Sequence, residues 1–108
     1  MATDILDTLE QVIRERRSAD PSTSYVAKLT ARGRAKIAQK LGEEAVEAAI
    51  AAVQDDRAGM TGEAADLLFH LLVLLADMDL SLDDVRAELA RREGLSGIEE
   101  KASRPKDA

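Results

Sequence analysis

Apolar residues recur at helical spacing over most of the chain. Ile5, Leu9, Val12 and Ile13 stand at i, i+4, i+7 and i+8, which places them on one stripe of a surface helix that fades at residues 16–18. Residues 20–24 are rich in Ser, Thr, Asp and Pro, which favours a loop. The same periodicity continues downstream and predicts four more helices, at residues 25–32, 34–54, 61–78 and 82–92.

The residues at the ends of these segments are typical of helix boundaries. Ser24 and Ser81 stand where N-caps are expected, and Gly33 and Gly94 stand just past helix ends. Residues 55–59 separate the two longest segments by a short break. Those two helices are therefore expected to pack antiparallel as a central hairpin. Runs of β-branched and aromatic residues are missing, and the sequence therefore predicts an all-α bundle of about five helices.

A narrow polar stripe runs along the first long helix. Between Ala45 and Val53 the single charged residue is Glu47, and Glu44 precedes it by three residues on the same face. A helix that is apolar on nearly all sides is normally buried. We therefore expect Glu47 to point into the protein or into a cleft within it.

The second long helix has a matching stripe. Glu63, Asp66, His70 and Asp77 share one side of a helix whose other directions are filled largely by leucine. If the two stripes face each other, four carboxylates converge, and their repulsion favours a hard divalent cation such as Mg²⁺ or Mn²⁺. The alternative is that both acidic pairs are solvated helix faces. A ferritin-like di-iron site is disfavoured, because it needs Glu-x-x-His pairs and the chain has one histidine.

Composition narrows the possible functions. The 108 residues include 21 Asp and Glu against 15 Lys and Arg, no cysteine, and two aromatic residues. These numbers exclude disulfides and thiolate zinc sites and argue against nucleic-acid binding. The longest apolar run, residues 67–76, is too short to cross a membrane, and the N-terminus lacks a secretory pattern. We therefore expect a cytoplasmic protein with no membrane partner.

The acidic residues stand in a known order. Glu43-Glu44-x-x-Glu47, followed after fifteen residues by Glu63-x-x-Asp66, resembles the EExxE…ExxD signature of the all-α NTP pyrophosphatase superfamily. Within that superfamily the chain resembles the phosphoribosyl-ATP pyrophosphatase family at residues 24–29, 40–44, 65–72, 91–97 and 99–104. The resemblance covers nearly the whole chain. Its departures, Phe69 where Tyr is usual and Arg34 where an acid is frequent, do not fall on the acidic signature.

The resemblance implies an enzyme. Members of this family hydrolyse phosphoribosyl-ATP to phosphoribosyl-AMP and pyrophosphate, the second step of histidine biosynthesis, and they require Mg²⁺. They are also homodimers of helical chains. The sequence itself favours a dimer, because residues 67–76 are apolar on more sides than one small bundle can cover.

The resemblance also implies roles for the acidic residues. Glu44, Glu47, Glu63 and Asp66 correspond to metal ligands. Glu43 is the candidate catalytic residue that orients or deprotonates the attacking water. The alternative for Glu43 is an acid that supports the metal ligands without binding the metal, or one that is only solvated.

Basic residues are the expected phosphate contacts. Lys28, Arg32, Lys36 and Lys40 recur every four residues over two neighbouring helices. The alternative for Lys40 is an i, i+4 ion pair with Glu44.

Three more residues are candidates for substrate contacts. His70 shares the face of Asp66, and its alternative is a buried histidine with satisfied hydrogen bonds. Lys101 and Arg104 lie in a mixed-charge tail, residues 95–108, outside the domain that we expect at residues 1–94. The tail is expected either to close over the substrate or to serve only as solubilising charge.

Two other functions stay open at this point. One is a housecleaning pyrophosphatase of the same superfamily that acts on dUTP or modified nucleotides. The other is a non-catalytic helical dimerisation module whose polar stripe forms an interface. Substrate preference separates the first from phosphoribosyl-ATP hydrolysis, and release of pyrophosphate separates the second.

Overall fold

The computed structural model describes residues 4–94 and 97–104, and within these ranges it contains helices joined by short connections and no β-strand. This confirms the all-α fold class. Six helices follow in order: α1 (Ile5–Arg16), α2 (Tyr25–Arg32), α3 (Arg34–Val53), α4 (Arg57–Asp77), α5 (Leu82–Arg91) and α6 (Gly97–Ser103). The first five correspond to the predicted segments, and α6 lies within the segment expected to be a charged tail. The domain boundary at residue 94 stays a prediction.

The start of α4 differs from the sequence pattern, because the helix begins at Arg57 and not at residue 61. Asp56 is the N-cap, and its carboxylate accepts a hydrogen bond from the Gly59 N–H at 2.9 Å. A Cβ at Gly59 would collide with this carboxylate, so the glycine permits the cap. The break predicted at residues 55–59 is therefore wrong at its second half, and the hairpin turn is short.

The core is built from one apolar stripe of each of the first four helices. Gly33, with a φ of 96°, joins α2 directly to α3, so the two helices change direction at a single residue. The buried side chains of the core cluster are Ile13, Val26, Leu29, Ile37, Leu72, Val73 and Ala76.

The long helices α3 and α4 form the predicted antiparallel hairpin. The Arg34 Nε at the start of α3 donates to the Asp77 carboxylate at the end of α4 at 3.0 Å, and the same guanidinium donates to the Asp77 carbonyl at 3.1 Å. Asp77 therefore serves as a helix-end residue. Arg14 of α1 and Arg17, just after α1, donate to the carbonyls of Leu80 and Ala76, which satisfies further acceptors at this end of α4.

The helix α3 is covered on one side only within the chain. Val46, Ile50 and Val53 are 60%, 50% and 87% exposed, and Glu47 is exposed as well. The expectation that Glu47 points into the protein is therefore wrong for the single chain, and the other expectation, that it points into a cleft, stays a prediction. The neighbouring helices cover the opposite side of α3, where its buried residues lie: Ile37, Glu44, Ala48 and Ala51.

The helix α5 is attached by polar contacts with α1 and by the partly buried Leu82, which packs against the core cluster. None of its residues is buried. Its first N–H, from Leu82, donates to the Glu10 carboxylate at 2.6 Å. Arg86 forms ion pairs with Asp7 at 2.7 Å and with Asp4 at 3.7 Å, both at the start of α1.

By length and composition alone, α4 would be able to cross a membrane, and it is the one helix in the described ranges of which this is true. It exceeds the apolar run seen in the sequence because it begins at Arg57. Core helices of proteins that never enter a membrane share these properties, and α4 packs against α1, α2 and α3. Glu63, Asp66 and His70 near its middle would each be costly in lipid.

Replacing Ser24 by Ala is expected to lower the free energy of unfolding by about 1 kcal/mol. The buried Ser24 hydroxyl accepts the Ala27 N–H at 3.1 Å, and its loss leaves this N–H unsatisfied. Urea unfolding followed by circular dichroism measures the change. The exposed Ser18→Ala serves as the control, and equal stability of the two variants would contradict the prediction.

Candidate active site

Carboxylates from α3 and α4 meet at the middle of the hairpin. One oxygen each from Glu44, Glu63 and Asp66 lies within 4.8 Å of the others. Glu44 is 9% exposed, which is unusual for a charged residue. The hairpin thus brings together three of the four carboxylates that the sequence assigns to a metal, and we call these three the acidic cluster.

Two oxygens of this cluster are buried without a hydrogen-bond partner. They are Oε2 of Glu44 and Oε2 of Glu63. The adjacent Glu44 carboxyl, the burial of Glu63 and the nearby Glu47 carboxyl, in that order, raise the pKa of Glu63 to about 7. Glu47, the fourth predicted ligand, is therefore close enough to raise the pKa of Glu63, although none of its oxygens belongs to the group of three.

The acidic cluster fits a hard divalent cation. Mg²⁺ binds oxygens at about 2.1 Å, so opposite ligands in its octahedral shell lie about 4.2 Å apart. Small side-chain movements would bring oxygens that are within 4.8 Å to such spacing. A cation would also supply the missing partner of the two buried oxygens and offset the repulsion between the carboxylates. No nitrogen or sulfur ligand belongs to the cluster, which favours Mg²⁺ or Mn²⁺.

The four predicted basic residues line one pocket between α2 and α3. We call it the cationic pocket, and its walls are Tyr25, Lys28, Leu29, Arg32, Lys36 and Lys40. Their four-residue spacing brings Lys28 and Arg32 onto one side of α2 and Lys36 and Lys40 onto one side of α3. Four positive charges around a concave surface are suited to phosphate groups.

Two links connect the cationic pocket to the acidic cluster. Along α3, Lys40 of the pocket is followed one turn later by Glu44 of the cluster. Across the helices, the Tyr25 hydroxyl lies 3.1 Å from Nε2 of His70, and Nδ1 of His70 lies 2.8 Å from the Asp66 carbonyl. A molecule with several phosphates is therefore able to contact both regions.

Glu43 lies on the exposed side of α3, beside the cluster. It accepts a hydrogen bond from Gln39 at 2.8 Å and pairs with Lys40 at 3.2 Å. The Gln39 hydrogen bond first, and then Lys40, lower the pKa of Glu43 below its ordinary value. These contacts are those of a solvated acid, which is the alternative to a catalytic role. The role of Glu43 in orienting or deprotonating the attacking water stays a prediction. Lys40 pairs with Glu43 and not with Glu44.

His70 is buried, and both of its ring nitrogens have partners. This is the satisfied histidine that the sequence offers as the alternative to a substrate contact. Lys101 and Arg104 lie in and just after α6, and neither lines the cationic pocket. Their predicted substrate contacts stay predictions.

Tyr25 is the residue of this region that sequence reasoning missed. It stands in the Ser24-Tyr25 segment, one of those that carry the family resemblance, but it belongs to no acidic or basic pattern. Its contact with His70 joins positions 45 residues apart, which spacing along one helix does not reveal.

A family model described as phosphoribosyl-ATP pyrophosphohydrolase matches residues 6–93. The chain belongs to the phosphoribosyl-ATP pyrophosphohydrolase family. Similar proteins named phosphoribosyl-ATP pyrophosphatase occur in Rhizorhabdus wittichii, 67% identical over 96% of this chain and 98% of the relative, and in Novosphingobium aromaticivorans, 63% identical over 94% of each. A relative of the same name in Zymomonas mobilis is 57% identical over 98% of this chain and 99% of its own length. The resemblance seen in the sequence is thereby confirmed, and the family is one of hydrolases.

Replacing Glu63 by Gln is expected to raise the melting temperature of the metal-free protein at about pH 8 and to change it little near pH 4.5. The folded chain holds the pKa of Glu63 at about 7, above the ordinary 4.5. The unfolded chain therefore loses this proton first, and the free energy of unfolding falls as the pH rises from 4.5 to 7. Glutamine has no such proton to lose.

Thermal unfolding in EDTA at both pH values measures this effect. The exposed Glu15→Gln on α1 is the control and is expected to leave the pH profile unchanged. A Glu63→Gln protein that melts below the unsubstituted chain at about pH 8 would contradict the prediction.

Proposed function

We propose that this protein hydrolyses phosphoribosyl-ATP to phosphoribosyl-AMP and pyrophosphate, with Mg²⁺, as a step of histidine biosynthesis. The observation that carries the proposal is the acidic cluster with its two unpartnered buried oxygens, one helical turn from a pocket lined by four cations. Membership of the family supports the choice of substrate. The reaction breaks one phosphoanhydride bond and adds a water molecule across it.

The ligands proposed for the metal are Glu44, Glu47, Glu63 and Asp66. When bound, Mg²⁺ would polarise phosphoryl oxygens and lower the pKa of a coordinated water, and Mn²⁺ has the chemistry to substitute for it. The chain's own carboxylates fix the position of this charge, since Glu44 is held in the interior between the two long helices. Glu43, at the border of the cluster, is proposed to orient the attacking water through its exposed carboxylate.

The cationic pocket is proposed to hold the phosphate groups. Lys28, Arg32, Lys36 and Lys40 would bind their oxygens and offset the negative charge that builds up during cleavage. Lys101 and Arg104 are proposed to add further charge when the tail approaches the substrate, and His70 is proposed to act at the edge of the pocket through its bond with Tyr25.

The proposed assembly is a homodimer. The chain exposes 7623 Å², against about 5900 Å² for a compact monomer of its mass, and its radius of gyration is 16.0 Å against about 13 Å. The uncovered apolar face of α3 supports a second copy as the partner, because Val46, Ala49, Ile50 and Val53 line one continuous concavity there. We propose a cytoplasmic enzyme with no membrane or nucleic-acid partner, since its phosphorylated substrate does not cross membranes.

Replacing Glu44 or Glu47 by Gln is expected to lower kcat by about 100-fold or more while the helical signal is kept. Each change removes one negative charge from the proposed metal ligands and preserves the side-chain volume. A coupled assay of pyrophosphate release from phosphoribosyl-ATP, with and without Mg²⁺, measures the effect. Glu15→Gln is the control for a surface carboxylate, and full activity of both ligand variants would refute the metal assignment.

The same assay separates the other functions. Faster release from dUTP or another free nucleotide than from phosphoribosyl-ATP would indicate the housecleaning pyrophosphatase. No release from any nucleotide, together with no rise in melting temperature on adding Mg²⁺, would indicate the dimerisation module.

Replacing Ile50 by Asp is expected to convert the dimer to a monomer at micromolar concentration. The side chain is half exposed in one chain, and a carboxylate placed at its position in an interface would be buried without a partner. Sedimentation velocity measures the mass. Ile5→Asp, at an exposed apolar position of α1, is the control that should stay dimeric, and an Ile50→Asp dimer would contradict the proposed interface.

A further inference from the structure

Tyr25 lines the cationic pocket and belongs to neither the acidic nor the basic pattern of the sequence. It is 49% exposed, so half of its surface is open to a ligand. Its ring stacks on Phe69 with centroids 6.0 Å apart and meets the edge of the His70 ring at 5.9 Å. These contacts fix the orientation of the Tyr25 side chain. Tyr25 is more exposed than Phe69, the other of the two aromatic residues in the sequence.

The direction of the hydrogen bonds determines what Tyr25 offers. Nδ1 of His70 lies 2.8 Å from the Asp66 carbonyl, which only accepts, and we therefore assign the proton of the neutral ring to Nδ1. Nε2 is then the acceptor, and the Tyr25 hydroxyl donates to it at 3.1 Å. The Tyr25 oxygen has committed its proton and keeps its lone pairs for another partner.

The Tyr25 oxygen, as a hydrogen-bond acceptor, suits the nucleoside part of a nucleotide better than its phosphates. Ionised phosphate oxygens also accept, so they gain nothing from the Tyr25 oxygen, and the four cations of the pocket are their partners. The ribose hydroxyls and the amino group of a base are donors. An aromatic ring beside them also offers a flat apolar surface for the sugar or base.

We propose that Tyr25 contacts the nucleoside part of the substrate and that His70 is the positioning residue that holds Tyr25 as an acceptor. The identity of the substrate rests on the proposed function. His70 does not touch the substrate in this arrangement. Because its other nitrogen is bonded to the Asp66 carbonyl, the contact fixes the nucleoside relative to the part of α4 that carries Glu63 and Asp66.

Two substitutions remove opposite ends of the same hydrogen bond. Tyr25→Phe keeps the ring and loses the hydroxyl, and His70→Phe keeps an aromatic ring and loses the acceptor. Each is expected to weaken AMP binding about fivefold and to leave the binding of inorganic pyrophosphate within about twofold. The double variant is expected to match either single one, since both changes break one chain of contacts.

Calorimetric titration of AMP and of inorganic pyrophosphate in Mg²⁺ measures these affinities without needing turnover. Thr30→Val is the matched control, because it removes another hydrogen bond of α2, from the Thr30 hydroxyl to the Val26 carbonyl at 2.8 Å, away from the pocket lining. With phosphoribosyl-ATP, Tyr25→Phe is expected to raise KM about fivefold with kcat unchanged. If His70→Phe does not fold, these Tyr25→Phe measurements still decide the contact.

Several results would overturn the proposal. They are no AMP binding by the unsubstituted protein, unchanged AMP binding by Tyr25→Phe, equal weakening of AMP and pyrophosphate, or multiplying effects of the two changes in the double variant. Failure of the proposed function is distinguishable, because it would be seen as no hydrolysis of phosphoribosyl-ATP while the AMP titrations still report on Tyr25.

Discussion

Two carboxylate oxygens that are buried without a partner set the main constraint on this protein. Glu44 and Glu63 lie close together across the central hairpin, and the folded chain holds one oxygen of each away from water. Packing of the apolar stripes of α1 to α4 must supply the free energy that this arrangement costs. The fold thus holds the carboxylates of the acidic cluster in an unfavourable arrangement, and a bound cation would make this arrangement favourable.

The same constraint explains the charge of the chain. Glu43, Glu44, Glu47, Glu63 and Asp66 account for five of the six acids by which Asp and Glu exceed Lys and Arg. The acidic character is therefore concentrated at one place, and the remaining surface is nearly balanced. The cationic pocket lies beside this concentration of negative charge, so the protein presents both signs to a polyphosphate within one helical turn.

The sequence was sufficient for the helices and for the acidic pattern, because both depend on spacing within one helix. It was not sufficient for the start of α4, where the Asp56 side chain caps the helix through Gly59, a residue that usually interrupts helices. It also predicted burial for Glu47, which is exposed in this chain. The sequence of an apolar helix face does not tell whether the same chain or another one covers it. The bond between Tyr25 and His70 depends on tertiary packing, which periodicity does not encode.

The attachment of α5 has a consequence for local motion. Its polar links to α1 are the hydrogen bond from Leu82 to Glu10 and the ion pairs of Arg86. Its apolar contact with the core is the partly buried Leu82 side chain, and none of its residues is fully buried. Exposed ion pairs weaken as salt screens them, whereas apolar packing does not. Within one chain, raised ionic strength would therefore loosen α5 before the four-helix core, and amide hydrogen exchange would be fastest there relative to α1–α4.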